Sequence, residues 1–287
     1  MKTIVLVPNP ARDIEYRYTK EFIRLIGARA CVRMAQEHCA VGGGAEYVRE
    51  EELFAGADAA VALGGDGTIL AAAGKVSRYD VPVLGINLGH LGFLAEVEPQ
   101  YMAHAAKCLL AGRYSIEERV MLRADVLRKG EQVKTFHALN DIVVSRASFS
   151  RLLGLKTMVG AHLLDSFVAD GVILSTPTGS TAYSLSAGGP ILDPSLDVIL
   201  VTPVCPHTMH TRPMVLPLSR GVAVELETGH DYEGAFVSAD GRHGLNLQPG
   251  DKVCASKSAY STKLIKISDK TFYDTIRQKL NERGAGK

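Results

Sequence analysis

The sequence predicts an N-terminal Rossmann-like α/β domain with a parallel sheet, followed by a C-terminal mostly-β, β-sandwich-like domain. Up to about residue 118, short apolar runs alternate with amphipathic stretches, which is the pattern of βαβ units. From Arg119 onward, segments of alternating polar and apolar residues follow one another across glycine turns. Phe272, Ile276 and Leu280 then lie four residues apart and predict a last helix.

These patterns also predict the limits of the domains and their elements. We expect an α/β nucleotide-binding domain over residues 1–118, joined by a C-terminal helical segment (268–287) that packs back on it, and a β-rich domain over residues 119–267. In the first domain, strands are predicted at 4–7, 30–34, 57–63 and 81–87, and helices at 14–26, at 99–110 and from Thr68. In the second, strands are predicted at 122–128, 133–137, 142–145, 172–174, 198–201, 222–226, 253–255 and 263–267, with a hairpin turn at Asp240-Gly241.

Length and charge exclude several classes of protein. At 287 residues, the chain can form about two domains on hydrophobic packing alone, without disulfide or metal staples. The 32 Lys and Arg residues balance 31 Asp and Glu residues, and the net charge of +1 disfavours a nucleic-acid partner. The apolar runs are too short to span a bilayer, so we expect a soluble protein with no membrane partner.

The N-terminus and the cysteines predict a cytoplasmic protein. The apolar run at residues 4–7 is too short for a signal peptide, so export is not expected. The 5 cysteines include no C-x-x-C pair, which favours reduced thiols buried as small hydrophobes over disulfides or a zinc site. His207 and His210 are three residues apart, but no thiolate or carboxylate pattern accompanies them, and no metal site is predicted.

The most informative local feature is the segment Gly64-Gly65-Asp66-Gly67-Thr68 at the end of an apolar strand. Its glycines allow positive φ and close approach of a ligand, and the following helix presents free N–H groups and the positive end of its dipole. This arrangement favours phosphate. The Asp66 carboxylate would repel phosphate unless it serves chemistry, such as accepting the proton of an attacking hydroxyl. The alternative is an ordinary tight βα turn.

Two common nucleotide motifs are absent from the sequence. No G-x-x-x-x-G-K-[ST] occurs, so the chain has no Walker A lysine. No complete G-x-G-x-x-G occurs either, because Leu70 stands where the third glycine would follow Gly65 and Gly67. A dehydrogenase-type dinucleotide site is therefore disfavoured.

Two polar segments of the β-rich domain are candidate ligand sites. Residues 170–190 combine many hydroxyls with glycine and proline, and Tyr183 can stack on a ring, which suits a polar ligand that contains rings. The alternative is a Ser/Thr turn that closes the domain. Asn140-Asp141 follows a predicted strand and can hydrogen-bond a base edge or a ribose diol, although such a pair is more often a turn.

Taken together, these segments resemble the NAD kinase family. The matching stretches run in the family's order over most of the chain and comprise Gly64 to Thr68, Asn87 to Leu94, Asn140-Asp141, Asp170 to Ile191 and Thr202 to His207. The glycine–aspartate turn alone is shared with phosphofructokinases and diacylglycerol-type lipid kinases, so a lipid or sugar kinase is the alternative in the same class. A non-catalytic NAD(P)-binding regulator is the alternative in a different class.

The resemblance implies transfer of the γ-phosphoryl group of ATP, with Mg2+ or Mn2+, to the 2′-hydroxyl of the adenosine ribose of NAD, at a cleft between the domains. Polyphosphate stays open as a donor. Asp66 would be the general base, and the β-rich domain would bind NAD. The residues implied to contact nucleotide are Gly65, Gly67, Thr68, Phe93, Asn140, Asp141, Arg151, Asp170, Thr178, Thr181, Ala182, Tyr183, Ser184, Leu185 and Ser186. A homodimer or homotetramer is also implied, in which a neighbouring copy can complete the NAD site.

Three residues depart from the family pattern. Asp141 stands where the family usually has glutamate, and it keeps the charge with one methylene less. Val168 replaces an arginine or histidine of many relatives, which removes a contact to the nicotinamide half. Arg242 stands where the family has the glutamine of an Asp-x-Gln segment. We expect the Arg242 side chain to face solvent rather than to contact phosphate.

Overall fold

The computed structural model describes residues 1–89, 92–148, 151–227 and 232–284. His90 and Leu91, which belong to the family-like stretch from Asn87 to Leu94, lie outside the described residues. The α-helices are α1 (Arg17–Ile26), α2 (Asp66–Val76), α3 (Met102–Ala111), α4 (Tyr183–Ser186) and α5 (Phe272–Gly284). The strands are β1 (Lys2–Pro8), β2 (Ala30–Ala35), β3 (Glu46–Val48), β4 (Ala59–Gly64), β5 (Val83–Asn87), β6 (Ser115–Arg128), β7 (Glu131–Ala138), β8 (Asp141–Arg146), β9 (Leu153–Val159), β10 (His162–Ala169), β11 (Gly171–Ser175), β12 (Val198–Val204), β13 (Met214–Pro217), β14 (Val222–Leu226), β15 (Ala235–Ala239), β16 (Arg242–Leu247) and β17 (Lys252–Lys266).

The chain divides into two compact units. The first comprises Met1–Glu118 and Thr262–Lys287, and the second comprises Arg119–Ser261. Strand β17 contributes residues to both units, and α5 belongs to the first. Among the residues that the structure describes, no helix has both the length and the apolar character needed to cross a membrane.

A parallel sheet forms the centre of the first unit, in the order β5-β4-β1-β2-β3, with the end of β17 beside β5. Strand β4 is buried along its whole length, as expected for a parallel strand covered on both faces. Helices α1 and α3 pack on one face, whereas α2 packs on the other, where Ile69 abuts Gly85. The C-terminal ends of β1, β4 and β5 therefore lie side by side, which is where open α/β sheets bind ligands.

Two sheets of mostly antiparallel strands form the second unit. One contains β10-β9-β14-β17 with β6 and β7, and the other has the order β13-β12-β11-β8-β15-β16. Leu155 and Phe167 from the first sheet share a buried cluster with Val172 and Val201 from the second, so the two sheets form a sandwich. Strand β8 pairs antiparallel with β11, which places Asp141 opposite Ser175.

The predicted fold class is confirmed, but some local predictions are wrong. The strands predicted at 253–255 and 263–267 are parts of one strand of 15 residues, β17, whose polar middle interrupts the apolar pattern. Helix α2 begins at Asp66 rather than at Thr68, so the aspartate lies in the first helical turn. All five cysteines are free, but Cys39 and Cys205 are exposed rather than buried.

Candidate functional site

Three short segments meet in the first unit, where β1, β4 and β5 end. They are residues 9–13, residues 64–68, and residues 87–89 with 92–95, and they are named the Asp66 region here. Their meeting follows from the sheet order, because neighbouring parallel strands end at the same edge. The region contains the predicted residues Gly65, Asp66, Gly67, Thr68 and Phe93.

The Asp66 carboxylate accepts three hydrogen bonds from successive backbone N–H groups of the loop after β5. Phe93 N donates to Oδ2 at 2.6 Å, and Leu94 N and Ala95 N donate to Oδ1 at 3.1 and 3.3 Å. An ionised carboxylate has about four lone-pair sites, so these bonds leave acceptor capacity for a hydroxyl of a ligand. The position in the first turn of α2 also favours a negative charge.

Two glycines of the same loop make room for two side chains of opposite charge. A Cβ built on Gly92 would overlap the Asp66 carboxylate, and one built on Gly89 would overlap Nη1 of Arg12. A Cβ on Gly65 would lie 3.5 Å from the Cζ and Nη1 atoms of Arg12. The Arg12 guanidinium therefore lies against the turn that carries Asp66. Sequence analysis missed Arg12, because its contact with this turn depends on the pairing of β1 with β4, which the sequence does not show.

The side chains of Thr68 and Phe93 have structural partners. Asn9 Nδ2 donates to Thr68 Oγ1 at 3.0 Å, which ties the turn after β1 to the start of α2. The Phe93 ring lies 6.1 Å from the ring of Phe272, and Lys279 Nζ lies 4.4 Å from its centroid. Phe93 therefore reaches Asp66 through its backbone N–H. Gly67 is exposed, with no atom within 4 Å of the position of an added Cβ.

A cavity of about 480 Å³ opens at Gly67 and Thr68. Its volume is in the range of small-molecule sites. Tyr16 Oη and His38 Nδ1 are 3.1 Å apart on its lining, and burial lowers the pKa of His38 despite the nearby Glu37 carboxylate. The lining residues are Val7, Pro8, Asn9, Pro10, Tyr16, Glu37, His38, Gly67, Thr68 and Ala71.

In the second unit, a different aspartate organises the predicted pair Asn140 and Asp141. The Asp240 carboxylate accepts N–H bonds from Leu139 at 2.9 Å, Asn140 at 2.7 Å and Asp141 at 3.2 Å. Residues 139–141, Asp240 and residues 175–186 are named the Asp141 region here. Sequence analysis interpreted Asp240 as a hairpin residue and missed this contact, because it joins segments that are far apart in the chain.

Asp141 has an unusual charge state. Its side chain is 5% exposed, and burial, with the neighbouring Asp240 carboxylate as the second cause, raises the pKa of Asp141 to about 7. Burial also raises the pKa of Asp240, although its three N–H bonds oppose that shift. A protonated carboxyl donates a hydrogen bond as well as accepting one, so Asp141 can donate to a ligand near neutral pH.

The hydroxyls of residues 175–186 mostly hold the loop itself. Thr178 Oγ1 accepts from Arg119 Nη1 at 3.2 Å, Thr181 Oγ1 donates to the Thr178 carbonyl at 3.2 Å, and Ser184 Oγ pairs with Thr202 Oγ1 at 2.7 Å. Tyr183 begins α4 and is 46% exposed, so its ring is available to a ligand. Of the other predicted residues here, Ala182 and Leu185 are half-buried and Ser186 is exposed.

Two predicted residues lie away from the Asp141 region. Asp170 precedes β11, whereas Ser175 and Thr178 follow at its other end, so Asp170 is separated from Asp141 by about 16 Å of strand. Its Oδ1 accepts from Arg146 Nε at 2.7 Å. Arg151 is exposed and lies 3.7 Å from Glu233.

Val168 and Arg242, two of the three residues that depart from the family pattern, are exposed. Val168 is 43% exposed, and its carbonyl accepts from His207 N at 2.8 Å. Among the described residues, no group of three or more His, Cys, Asp or Glu side chains could hold a metal ion.

Comparisons with known proteins identify the family. The model of the ATP-NAD kinase N-terminal domain matches residues 4–114, and that of the ATP-NAD kinase C-terminal domain matches residues 139–267. An NAD kinase of Natranaerobius thermophilus is 39% identical over 282 residues, which cover 98% of each chain. The chain belongs to the NAD kinase family. The NAD kinase of Moorella thermoacetica is 48% identical over 248 residues, covering 86% of this chain and 78% of that protein.

Solved structures of NAD kinases agree with the fold. The yeast NADH kinase, complexed with NADH, has a TM-score of 0.87 at 27% identity, covering 100% of this chain and 88% of that one. An NAD kinase from Archaeoglobus fulgidus, complexed with ATP, shares the fold at a TM-score of 0.74 and 24% identity, covering 98% of this chain and 99% of that one. The predicted resemblance to the NAD kinase family is thus confirmed.

Proposed function

We propose that this chain is an NAD kinase that transfers the γ-phosphoryl group of ATP to the 2′-hydroxyl of the adenosine ribose of NAD, giving NADP. The observation that carries the proposal is the Asp66 region, in which a carboxylate and a guanidinium lie at one glycine turn of the sheet edge. Membership of the NAD kinase family supports the choice of acceptor.

Asp66 is proposed as the general base. A ribose hydroxyl is a poor nucleophile at neutral pH, so the enzyme must align it, accept its proton and neutralise the charge of the phosphates. The three N–H bonds from residues 93–95 fix the carboxylate before the hydroxyl arrives. As the 2′-oxygen bonds to the γ-phosphorus, the bond from that phosphorus to the β–γ bridging oxygen breaks and releases ADP, and the proton of the 2′-hydroxyl passes to the remaining lone pair of Asp66.

A divalent cation is the proposed cofactor of this transfer. Mg2+ prefers oxygen ligands and is commonly held by one or two carboxylates together with substrate phosphates and water. The three N–H bonds and the proton of the hydroxyl use the lone-pair sites of Asp66, so the cation would be held mainly by the phosphates of ATP and by water. When bound, the cation withdraws charge from the phosphates.

The cavity beside Gly67 supports ATP over polyphosphate as the donor. At about 480 Å³, it is large enough for a nucleoside, and Tyr16, His38 and prolines on its lining suit a flat ring. Polyphosphate has no ring to bury there. We therefore propose that the donor is a nucleoside triphosphate.

The Asp141 region is proposed to bind the adenosine half of NAD. Asn140 and a protonated Asp141 together offer hydrogen-bond donors and acceptors to a ribose or a base edge, and the exposed Tyr183 offers a ring for stacking. The remaining predicted contacts, including Asp170 and Arg151, stay predictions.

We also propose a homodimer or homotetramer, as the family resemblance implies. Light scattering on the full chain should give a mass of two or four chains of 30.8 kDa. A monomer at assay concentration would contradict this part of the proposal.

The reaction is tested by incubating the purified chain with NAD and Mg-ATP and reading NADP with an NADP-specific dehydrogenase. We expect NADP formation that stops when EDTA is added and that falls by about 10² to 10⁴ when Asp66 is replaced by Asn. Fructose 6-phosphate and diacylglycerol in place of NAD should give no ADP. Binding of NAD without any NADP from either ATP or polyphosphate would instead favour a non-catalytic regulator.

A further inference from the structure

We propose that Arg12 forms a phosphate-binding site for the donor nucleotide and supplies the positive charge that a Walker A lysine provides elsewhere. This inference rests on the proposed function, because it assigns the donor phosphates to a residue of the Asp66 region. It answers a problem that the sequence raises, since the Asp66 carboxylate by itself would repel a triphosphate.

The location of the guanidinium is the first argument. Arg12 follows β1, the neighbour of β4 in the parallel sheet, so it lies at the edge where the turn of Asp66 also lies. Its Cζ and Nη1 atoms are 3.5 Å from the position of a Cβ on Gly65, the N-cap residue of α2. A phosphate at the start of α2 would therefore meet a guanidinium as well as free backbone N–H groups.

The glycine at position 89 is the second argument. A Cβ there would overlap Arg12 Nη1, so any other residue would displace the guanidinium from the turn. The backbone of Gly89 does not itself need glycine, because its φ is outside the left-handed range. Glycine is therefore required at this position because it leaves space for the Arg12 side chain.

The third argument is that the backbone around Arg12 is fixed. The Asn9 carbonyl accepts N–H bonds from Arg12 at 2.9 Å and from Asp13 at 2.8 Å, and Asn9 Oδ1 accepts one from Ala11 at 3.1 Å. The buried Asp13 carboxylate accepts from Tyr18 N at 2.8 Å and from the N and Oγ1 atoms of Thr19. These bonds fix the backbone from which the Arg12 side chain extends, so binding of a ligand orders the side chain but not the turn that carries it.

The charge of Arg12 is also available. Within the part of the chain that the structure describes, Arg12 forms no ion pair, whereas Arg33, Arg128 and Arg146 each pair with a carboxylate. The Arg12 side chain is exposed to solvent. A planar guanidinium binds two phosphate oxygens at once, which a point charge does not, so its fork suits the triphosphate.

The test separates phosphate binding from a structural role of Arg12. Steady-state KM values for ATP and for NAD are measured for Arg12→Ala, Arg12→Lys and Gly89→Ala, with Arg24→Ala as the matched control. Arg24 is an exposed arginine on α1, outside the Asp66 region. Calorimetry with Mg-ATP in the absence of NAD gives the donor affinity directly, and melting curves show whether each variant folds.

We expect Arg12→Ala to raise the KM for ATP and the Kd for Mg-ATP about 10- to 100-fold, which is the loss expected for hydrogen bonds to a charged group. The KM for NAD should stay within about twofold of the parent. Arg12→Lys should lose less than Arg12→Ala because it keeps the charge. Gly89→Ala should reproduce the loss, since it displaces an arginine that is still present, and Arg24→Ala should match the parent.

Two results would overturn the assignment. The first is an unchanged Kd for Mg-ATP in folded Arg12→Ala, and the second is an equal rise in the KM values for ATP and NAD, which a structural role would produce. If Arg12→Ala does not fold, Arg12→Lys and Gly89→Ala decide the question by the same criteria. Failure of the proposed function is distinguishable, because then the parent chain would bind Mg-ATP in an Arg12-dependent manner and yet make no NADP.

Discussion

Asp66 in the first unit and Asp240 in the second make the same contact in different surroundings. Each carboxylate accepts hydrogen bonds from three successive backbone N–H groups of a distant segment. The Arg12 guanidinium lies against the turn that carries Asp66, whereas Asp240 is half-buried beside a second carboxyl group, Asp141. The hydrogen-bond pattern is therefore common to both regions, and the neighbouring charge differs.

That difference indicates which ligand each region suits. A cation beside a fixed carboxylate suits anionic phosphates and the removal of a proton from an attacking hydroxyl. Asp141, whose pKa is raised to about 7, suits an uncharged partner such as a ribose or a base edge, because its protonated carboxyl can donate a hydrogen bond as well as accept one. We accordingly propose that the first region binds the donor phosphates and the reacting hydroxyl, and that the second binds the adenosine of the acceptor.

Replacement of Asp66, the proposed general base, should have the largest effect on activity. Asp66→Asn keeps the size of the side chain but cannot accept the proton, so turnover should fall by about 10² to 10⁴, the usual contribution of a general base. The Kd for NAD should barely change, because the second region is intact. Initial-rate assays and NAD titrations measure both quantities, and a variant with unchanged turnover would remove the assignment.

The protonation of Asp141 is tested by the pH dependence of the free energy of unfolding. Because the pKa of Asp141 is raised from 3.8 to about 7 in the folded protein, the folded state holds a proton that the unfolded state has lost between those values. The free energy of unfolding should therefore fall as pH rises through this window, by up to about 1.4 kcal/mol per pH unit. Urea unfolding from pH 4 to 8 measures the slope, which Asp141→Asn should reduce. If the free energy of unfolding falls with pH equally steeply in Asp141→Asn and in the parent, Asp141 is not protonated in the folded protein.

The cavity beside Gly67 is the proposed binding site for the nucleoside of ATP, which polyphosphate lacks. Ala71→Trp should fill the space and raise the KM for ATP about 10- to 100-fold, since roughly one ring of buried contact is lost. Lys75→Trp is the control, because Lys75 is exposed one turn later on α2 and does not line the cavity. Equal KM values for the two variants would show that the nucleoside binds elsewhere.

Tyr183 carries the smallest expected effect. Loss of its ring in Tyr183→Ala should weaken NAD binding about 2- to 10-fold, the amount attributed to one aromatic contact. Tyr101→Ala is the control, because Tyr101 is similarly exposed and lies in the first unit. Equal dissociation constants for Tyr183→Ala and the parent would mean that residues 175–186 serve only as a structural turn.

Much of this fold can be predicted from the sequence because its signals are local. The apolar run of β4, the glycines after it and the helix-forming residues of α2 lie next to one another in the chain, and they predict a strand, a turn and a helix in that order. Asp66 and Asn140-Asp141 are recognisable for the same reason, since each stands in a short segment with its own composition.

The contacts of Arg12 and Asp240 could not be predicted in this way. Arg12 meets Gly65 and Gly89 only because β1, β4 and β5 are neighbours in the sheet, and Asp240 meets Asn140 only because β8 pairs with β15. A single sequence gives no pairing partner for a strand. Strand β17 shows the same limit, because it pairs with β14 at residues 252–255 and with β5 at Leu264, and the sequence predicts neither pairing.

The division between donor and acceptor regions is tested most directly by comparing Arg12→Ala with Asp240→Asn. In Asp240→Asn, an NH2 group replaces one of the two carboxylate oxygens that accept hydrogen bonds from Leu139 N and Asn140 N. At least one of these N–H groups then loses its acceptor, so residues 139–141 lose their alignment. We expect Asp240→Asn to raise the KM for NAD and to leave the KM for ATP unchanged. We expect Arg12→Ala to raise the KM for ATP and to leave the KM for NAD unchanged. If each variant instead raises both KM values in the same proportion, the two regions do not bind separate substrates.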